Sequence, residues 1–445
     1  MEDAEDAPLL GDAAPRKPRP PTMRGAKALY FFQWAQSASM FNYLALYLSS
    51  RDLTPTGVGV ALTACMVGST LGASIGPACA EATGRQFSTV IGAMLGSAAV
   101  AAVVACDVVP KALLVPTLML MQLLWAASRP IVDAAVLELL AAVNAERDAE
   151  RETFGHQRVW GILGYGLCAL GIGTLVGSAR ALRDTFAIFA LLAPFTIAGF
   201  ALLPRAARAG DAEAPPAAGG GAPGADAAAP KPPLGWAGAL AAARELLAVP
   251  PMAPFFAATV VGGALFATMV QYVWLWLTED LGASYALVGL ATVATNCAEL
   301  PMVFHAQRVL ARVGMHGVLA LSCVGYAVRC AVYLTISTPW LVLLAEPFHA
   351  LSFSLAIATT GVYARHAARA HAPRAAGPLV QGALQAAACF GRALGFIGGA
   401  LVREYYSWHV LWLAVAALTA VYTTVVAAFH AAHRRPGMAA LLHPT

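Results

Sequence analysis

The sequence predicts an all-α polytopic membrane protein with twelve transmembrane helices arranged as two six-helix pseudo-repeats. Three observations carry this. The 445 residues are 59% hydrophobic and only 12% charged, about half the charge of an ordinary soluble domain. The mean hydropathy is +0.66, so the polar residues are too few to clothe a soluble globule. The apolar residues fall into twelve continuous stretches, each near the roughly 20 residues that a helix needs to cross a bilayer. Continuous apolar runs read as helices because only helices and closed barrels satisfy their backbone in lipid. A soluble enzyme, a nucleic-acid binder and a disordered protein are excluded on these grounds.

Six spans precede a break in composition. The first, Ala26–Ser49, embeds Gln33, Trp34, Gln36, Ser37, Asn42 and Tyr43 in apolar surroundings. An amide facing lipid is costly, so such residues should turn toward other helices. Thr56–Ala80, Phe87–Val108 and Leu113–Ala141 follow, and the fourth carries Arg129 and Asp133 four residues apart. The fifth, Val159–Leu175, is rich in glycine, and the sixth runs Thr185–Leu203. Small residues at such spacing allow close contact between helix backbones.

Between Arg205 and Pro233 the chain is almost all Ala, Pro, Gly and Asp, a composition that reads as a linker. A short amphipathic helix is expected at Gly235–Val249, with Arg244 and Glu245. Six more spans follow: Met252–Leu277, Tyr285–Val309, Val318–Ile336, Pro339–Ala364, Pro378–Leu401 and Val410–Phe429. The predicted organisation is a tail (1–25), a first half (26–204), a linker (205–248), a second half (249–432) and a second tail (433–445).

Orientation follows from the cations. With the N-terminus inside, 20 of the 28 Lys and Arg residues lie on the cytoplasmic side, five on the other and three within spans. Both termini are therefore expected in the cytoplasm. An acidic, proline-containing tail precedes the first span, so that span is expected to be an uncleaved anchor. Within the tail, Glu5-Asp6-Ala7-Pro8-Leu9-Leu10 resembles an acidic dileucine sorting signal, the alternative being a chance Leu-Leu pair. The expected location is the plasma membrane or an endosomal or vacuolar membrane. The eight cysteines lie singly inside apolar stretches with no CxxC pair. They read as small buried hydrophobes, with no metal site. No P-loop, GxSxG or HExxH string is present, so neither an enzyme nor a cofactor is expected.

Several strings carry a family resemblance. After the second span stands Glu81-Ala82-Thr83-Gly84-Arg85-Gln86, and the matching loop after the eighth ends in Gly314-Met315-His316. FGHQRVWGILGYG (154–166), RPIVDAAVLELL (129–140), WLTEDLGAS (276–284), AELP (298–301), EPFHALSF (346–353) and LVQGALQAAACFGRALGFIGGALV (379–402) accompany them. Together they resemble the major facilitator superfamily over roughly residues 26–430. The similar branch holds lactose permease, nucleoside–proton symporters and the "major facilitator superfamily domain-containing protein six" group. The sequence departs from the pattern in setting Arg129 directly before Pro130. The resemblance implies the major facilitator fold. It also implies a cytoplasmic clamp at Glu81, Gly84 and Arg85, and a monomer that moves a solute by alternating access.

An ionisable group within a span costs several kcal/mol unless paired or watered, so each is a functional candidate. Glu299, Arg329, Glu346, His349 and Arg392 fall near one depth in the second half, with Glu346 and His349 on one helix face. Lactose permease is similar in helix and residue type: an acid on helix 8, an arginine on helix 9, and a histidine with an acid on helix 10. The expected role is proton coupling. Gln33, Trp34 and Asn42 on the first span, Gln271, Tyr272 and Trp274 on the seventh, and Gln381 and Gln385 on the eleventh are the candidate solute-binding residues. Amides beside aromatic faces suit a sugar-like or nucleoside-like solute. Arg129, Asp133, Arg158 and Trp160 are expected to form a cytoplasmic gate or brace, with Arg129 and Asp133 able to pair and Asp133 able to reach Arg158. The expected function is proton-coupled symport of a small polar solute, the partners being that solute, a proton and the bilayer. A uniporter with structural buried charges and a non-transporting receptor or scaffold are the alternatives.

Overall fold

The computed structural model describes residues 23–145, 154–204, 236–372, 378–436, 438 and 441. The dileucine string, the charged cluster Glu146–Glu152, the linker from Arg205 to Pro233 and most of both tails lie outside them. The described residues form helices and no strand. In the first half these are α1 (Arg24–Phe41), α2 (Leu44–Ser50), α3 (Pro55–Thr83), α4 (Gln86–Ala105), α5 (Lys111–Ala145), α6 (Phe154–Leu175) and α7 (Asp184–Ala201). The short helix α8 (Trp236–Ala248) matches the amphipathic segment. The second half holds α9 (Met252–Glu279), α10 (Tyr285–Thr335), α11 (Val342–Ala345), α12 (Leu355–His371), α13 (Pro378–Tyr405) and α14 (Trp408–His433).

Local chemistry sets the boundaries. Thr54 caps α3 by accepting the Gly57 N–H, and Pro55 opens that helix where its missing N–H costs nothing. Gly84 ends it with φ 63°. Ser284 and Ser407 cap α10 and α14. α10 runs 51 residues but is broken at Gly314, whose φ of 64° and ψ of 176° are not helical. The break falls between the predicted eighth and ninth spans.

Among the described residues, nine helices are long and apolar enough to cross a membrane, and between 28% and 44% of each apolar window is buried. The remainder faces outward, including Leu191 at 68% exposure and Leu344 at 63%. Such an apolar exterior would drive aggregation in water and suits lipid. It also corrects one expectation. Only Cys65 and Cys330 are buried, while Cys79, Cys106 and Cys297 are exposed. An apolar position in a span need not point inward, because lipid accepts a cysteine as readily as the core does.

Neighbour relations recur between the halves. In the first, α1 packs on α6 and α7, α3 on α5, and α4 on α5 and α7. In the second, α9 packs on α13 and α14, and α10 on the 342–371 segment and α14. Two seams join the halves: α3 against α13, and α6 against α10. Close approach needs glycine at one point on each. A Cβ on Gly59 would lie 2.5 Å from Ala400 Cβ, and one on Gly173 would lie 2.4 Å from the Tyr285 carbonyl oxygen.

Candidate functional site

The tenth predicted span is not a regular helix. α11 tightens into a 3-10 turn at Glu346–Phe348 and then widens into a π-helix at Ala350–Ser354 before α12 resumes. Pro347 removes one backbone donor and disrupts the regular ladder. The turn aims Glu346 at α10, while the wide turn carries Ser354 to Glu299. Single π turns inside helices frequently mark functional sites.

The result is a continuous polar chain. Arg329 Nη2 lies 3.3 Å from Glu346 Oε1, with the side chains 1% and 2% exposed. Arg329 Nη1 stands 3.1 Å from His349 Nδ1. His349 Nε2 lies 3.3 Å from Glu299 Oε1, and Ser354 donates its hydroxyl to the same oxygen. Tyr333 donates to Glu346 Oε1 at 2.5 Å and accepts from Arg329 Nε at 3.1 Å. Thr295 donates to Glu346 Oε2 at 3.1 Å. Three elements thus supply a carboxylate, a guanidinium, an imidazole and a second carboxylate in sequence. Such a chain can hold a proton at either carboxylate and pass charge through the ring between them.

Four of the five predicted coupling residues meet here, and Arg392 does not. Its guanidinium lies over the rings of Phe266 at 5.1 Å and Phe353 at 5.9 Å, and among the described residues it has no ion pair. Helical spacing places a residue on a face but leaves open which way a long side chain reaches. Sequence reasoning missed Tyr333, Thr295 and Ser354. Tyr333 is one turn from Arg329 and Thr295 one turn from Glu299, which is a readable signal. Ser354 reaches Glu299 through the π turn, which the sequence does not announce.

The solute candidates divide. Gln33 and Asn42 are buried, and among the described residues an amide nitrogen of each has no hydrogen-bond partner. Asn42 Oδ1 accepts from Tyr165 at 2.8 Å. Gln271 donates across the halves to the Phe41 carbonyl at 3.2 Å, leaving its own oxygen free. Trp274 is buried, and its indole N–H has no hydrogen-bond partner among the described residues. Trp34 meets Tyr165 edge to face at 6.3 Å. Three others are tied into the scaffold or exposed. Tyr272 donates to the Phe396 carbonyl at 2.6 Å, Gln381 donates to the Gly361 carbonyl at 3.1 Å, and Gln385 is exposed.

The gate candidates also rearrange. Asp133 accepts from Tyr30 at 2.5 Å and lies 3.8 Å from Arg158 Nη2. Arg129 forms no ion pair with Asp133 among the described residues. It lies instead over Trp34 at 5.2 Å and Trp125 at 5.1 Å. Trp160 is 40% exposed. Glu81, Gly84 and Arg85 are exposed, and among the described residues Glu81 and Arg85 form no ion pair. The α3–α13 seam reaches Thr70 and Cys389, 3.1 Å apart, and beyond it Ser74 and Gln385 are exposed. At the other end the halves are tied. Ser49 donates to Glu279 at 2.8 Å and the Thr56 N–H donates to Glu404 at 2.7 Å.

Residues 24–414 match the model of the MFS_1 like family. Among solved structures, a mutant of the nucleoside transporter NupG is similar at a TM-score of 0.71 and 18% identity, covering 92% of this chain and 99% of that one. The POT family transporter PepTSo gives 0.66 and 13%, covering 94% and 98%. A D-xylose-proton symporter gives 0.60 and 13%, covering 92% and 94%. No curated protein matches the sequence.

Proposed function

Since the chain belongs to the MFS_1 like family of major facilitator transporters, we propose that it moves a small polar solute, sugar-like or nucleoside-like, by alternating access coupled to a proton. The observation that carries the reading is the Glu346–Arg329–His349–Glu299 chain in the second half, of which Glu346, Arg329 and His349 are buried. A buried carboxylate beside a movable cation can gain or lose a proton when the pairing changes. Solute binding, or exposure to the other side of the membrane, changes that pairing. Glu346 or Glu299 carries the proton, Arg329 displaces it, and His349 links the two carboxylates.

Twelve spans in two pseudo-repeats, with both termini cytoplasmic, are part of the same reading. The recurring neighbour relations and the break at Gly314 support it. The ties from Ser49 to Glu279 and from Thr56 to Glu404 then close the outer side, and the exposed end at Ser74, Glu81 and Gln385 faces inward. Gln33, Trp34, Asn42, Gln271 and Trp274 contact the solute. Tyr30, Asp133 and Arg158 brace the inner end.

The test is uptake into proteoliposomes with and without an imposed pH gradient. Glu346→Gln is expected to abolish gradient-driven accumulation while leaving solute exchange at equal concentrations intact. Undiminished accumulation would remove Glu346 as the carrier. A second reading, a uniporter with a fixed charge network, draws on the triple anchoring of Glu346 by Arg329, Tyr333 and Thr295. It expects uptake by the native protein to ignore the gradient.

A further inference from the structure

The charged chain of the second half adjoins a bond into the first. Thr295 on α10 donates to Glu346 Oε2 at 3.1 Å. Its neighbour Asn296 donates its side-chain amide across the seam to the Ile162 carbonyl on α6 at 2.9 Å. Glu299 follows Asn296 by three residues, about one helical turn. A carbonyl inside a helix accepts the N–H of the residue four positions on, whose side chain stands beside it. Here that residue is Gly166. Its missing side chain admits Asn296, since a Cβ there would lie 2.8 Å from Asn296 Nδ2. The two helices are as close at Gly289, where a Cβ would lie 2.6 Å from the Ala169 carbonyl oxygen.

The same α6 holds the break between α1 and α2. Tyr165, three residues after Ile162, donates to Asn42 Oδ1 at 2.8 Å. The Ala169 carbonyl accepts from the Tyr43 hydroxyl at 2.7 Å. A series of short contacts therefore runs from Glu346 through Thr295 and Asn296 to α6, and from α6 to the solute candidate Asn42. Thr295 supplies a movable link at its start. Its hydroxyl also lies 3.1 Å from the Ala291 carbonyl, so it has a second acceptor to settle on when Glu346 loses its charge. That exchange releases the Glu346 segment from α10 at the turn where Asn296 grips α6.

We propose that Asn296 is a positioning residue that passes the charge state of the Glu346 chain to α6, and with it to the α1–α2 break that carries Asn42. The inference deepens the transporter reading above and rests on it, since it names the contact through which the proton and solute sites act on each other. A bond that only packs the seam is indifferent to Glu346. A bond that transmits its state makes substitutions at Asn296 and Glu346 non-additive, which is the property a double-mutant cycle isolates.

The full-length protein in lipid nanodiscs tests this without a ligand. Spin labels enter at Ser50 and Tyr405 as unnatural amino acids, so the native cysteines stay, and the ratio of long to short distances is read. Glu346→Gln is expected to change that ratio about threefold or more in the native background, and by less than about 1.5-fold in the Asn296→Ala background. Gly166→Ala displaces Asn296 from the Ile162 carbonyl without altering α10, and is expected to blunt the response equally. Gly171→Ala on the same helix, whose Cβ would meet nothing within 4 Å, is expected to keep it in full. Thermal stability reports folding, and Gly166→Ala carries the test if Asn296→Ala does not fold. A response to Glu346→Gln of the same size in all backgrounds would overturn the proposal, and so would no response in the native background. Uptake into proteoliposomes separates the two readings. Uptake that ignores the pH gradient, with the response lost in Asn296→Ala, removes proton coupling and leaves the link standing. Gradient-driven uptake, with a response untouched by Asn296→Ala and Gly166→Ala, removes the link alone.

Discussion

At the scale of single residues, the buried pair Arg329–Glu346 is where charge decides stability. Removing one member of a buried pair strands the other and costs about 3–5 kcal/mol, whereas deleting one hydrogen-bonding hydroxyl costs about 1–3 kcal/mol. Arg329→Ala is therefore expected to lower the unfolding temperature in detergent clearly more than Tyr333→Phe. Equal losses would mean that Glu346 is neutral in the folded protein and that the pair is not ionic. Glu299, Arg329, Glu346 and His349 were legible in the sequence because an ionisable residue in an apolar run is conspicuous. Their order along the chain was not, because it depends on side-chain reach. Arg392 makes the same point: its type was readable, but its place over Phe266 and Phe353, away from Glu346, was not.

Among the elements, α10 and the segment Val342–His371 depart most from regular helix. Gly314 sits where residues with a side chain are strained by about 1–3 kcal/mol. Gly314→Ala is expected to reduce thermal stability by that order. Gly171→Ala on α6 is the control, since its Cβ would meet nothing within 4 Å and alanine favours helix by about 1 kcal/mol. If both substitutions are neutral, the break between the two halves of α10 does not depend on glycine. That the chain holds several helices long and apolar enough to cross a membrane was legible because lipid enforces continuous apolar length, whereas the division of the first predicted span into α1 and α2 was not. The 3-10 and π turns at Glu346–Ser354 were not: Pro347 signals a disturbance, but whether the helix tightens or widens depends on what it packs against.

For the whole molecule, the question is what holds one end shut. Ser49–Glu279 and Thr56–Glu404 are exposed ties, and such contacts contribute about 0.2–1 kcal/mol each. Conformations separated by a few kcal/mol respond to changes of that size. Combining Glu279→Ala with Glu404→Ala is expected to raise the population open at this end several-fold. Spin labels at Ser50 and Tyr405 would report it as a growing long-distance component. An unchanged distribution would assign the seal to apolar packing such as Gly59 against Ala400.

The sequence by itself determined that the chain lives in a membrane, where its helices run and which few residues must be accounted for. Each of these follows from composition and from the cost of placing polar groups in lipid, both local properties. The tertiary structure alone decided which cations meet which acids. It joined Arg329, His349 and Glu299 into one chain, gave Asp133 to Tyr30 and Arg158, and set Arg129 and Arg392 over aromatic rings. Pairing between spans depends on helix rotation, on turn irregularities and on the reach of long side chains, and no span carries that information alone.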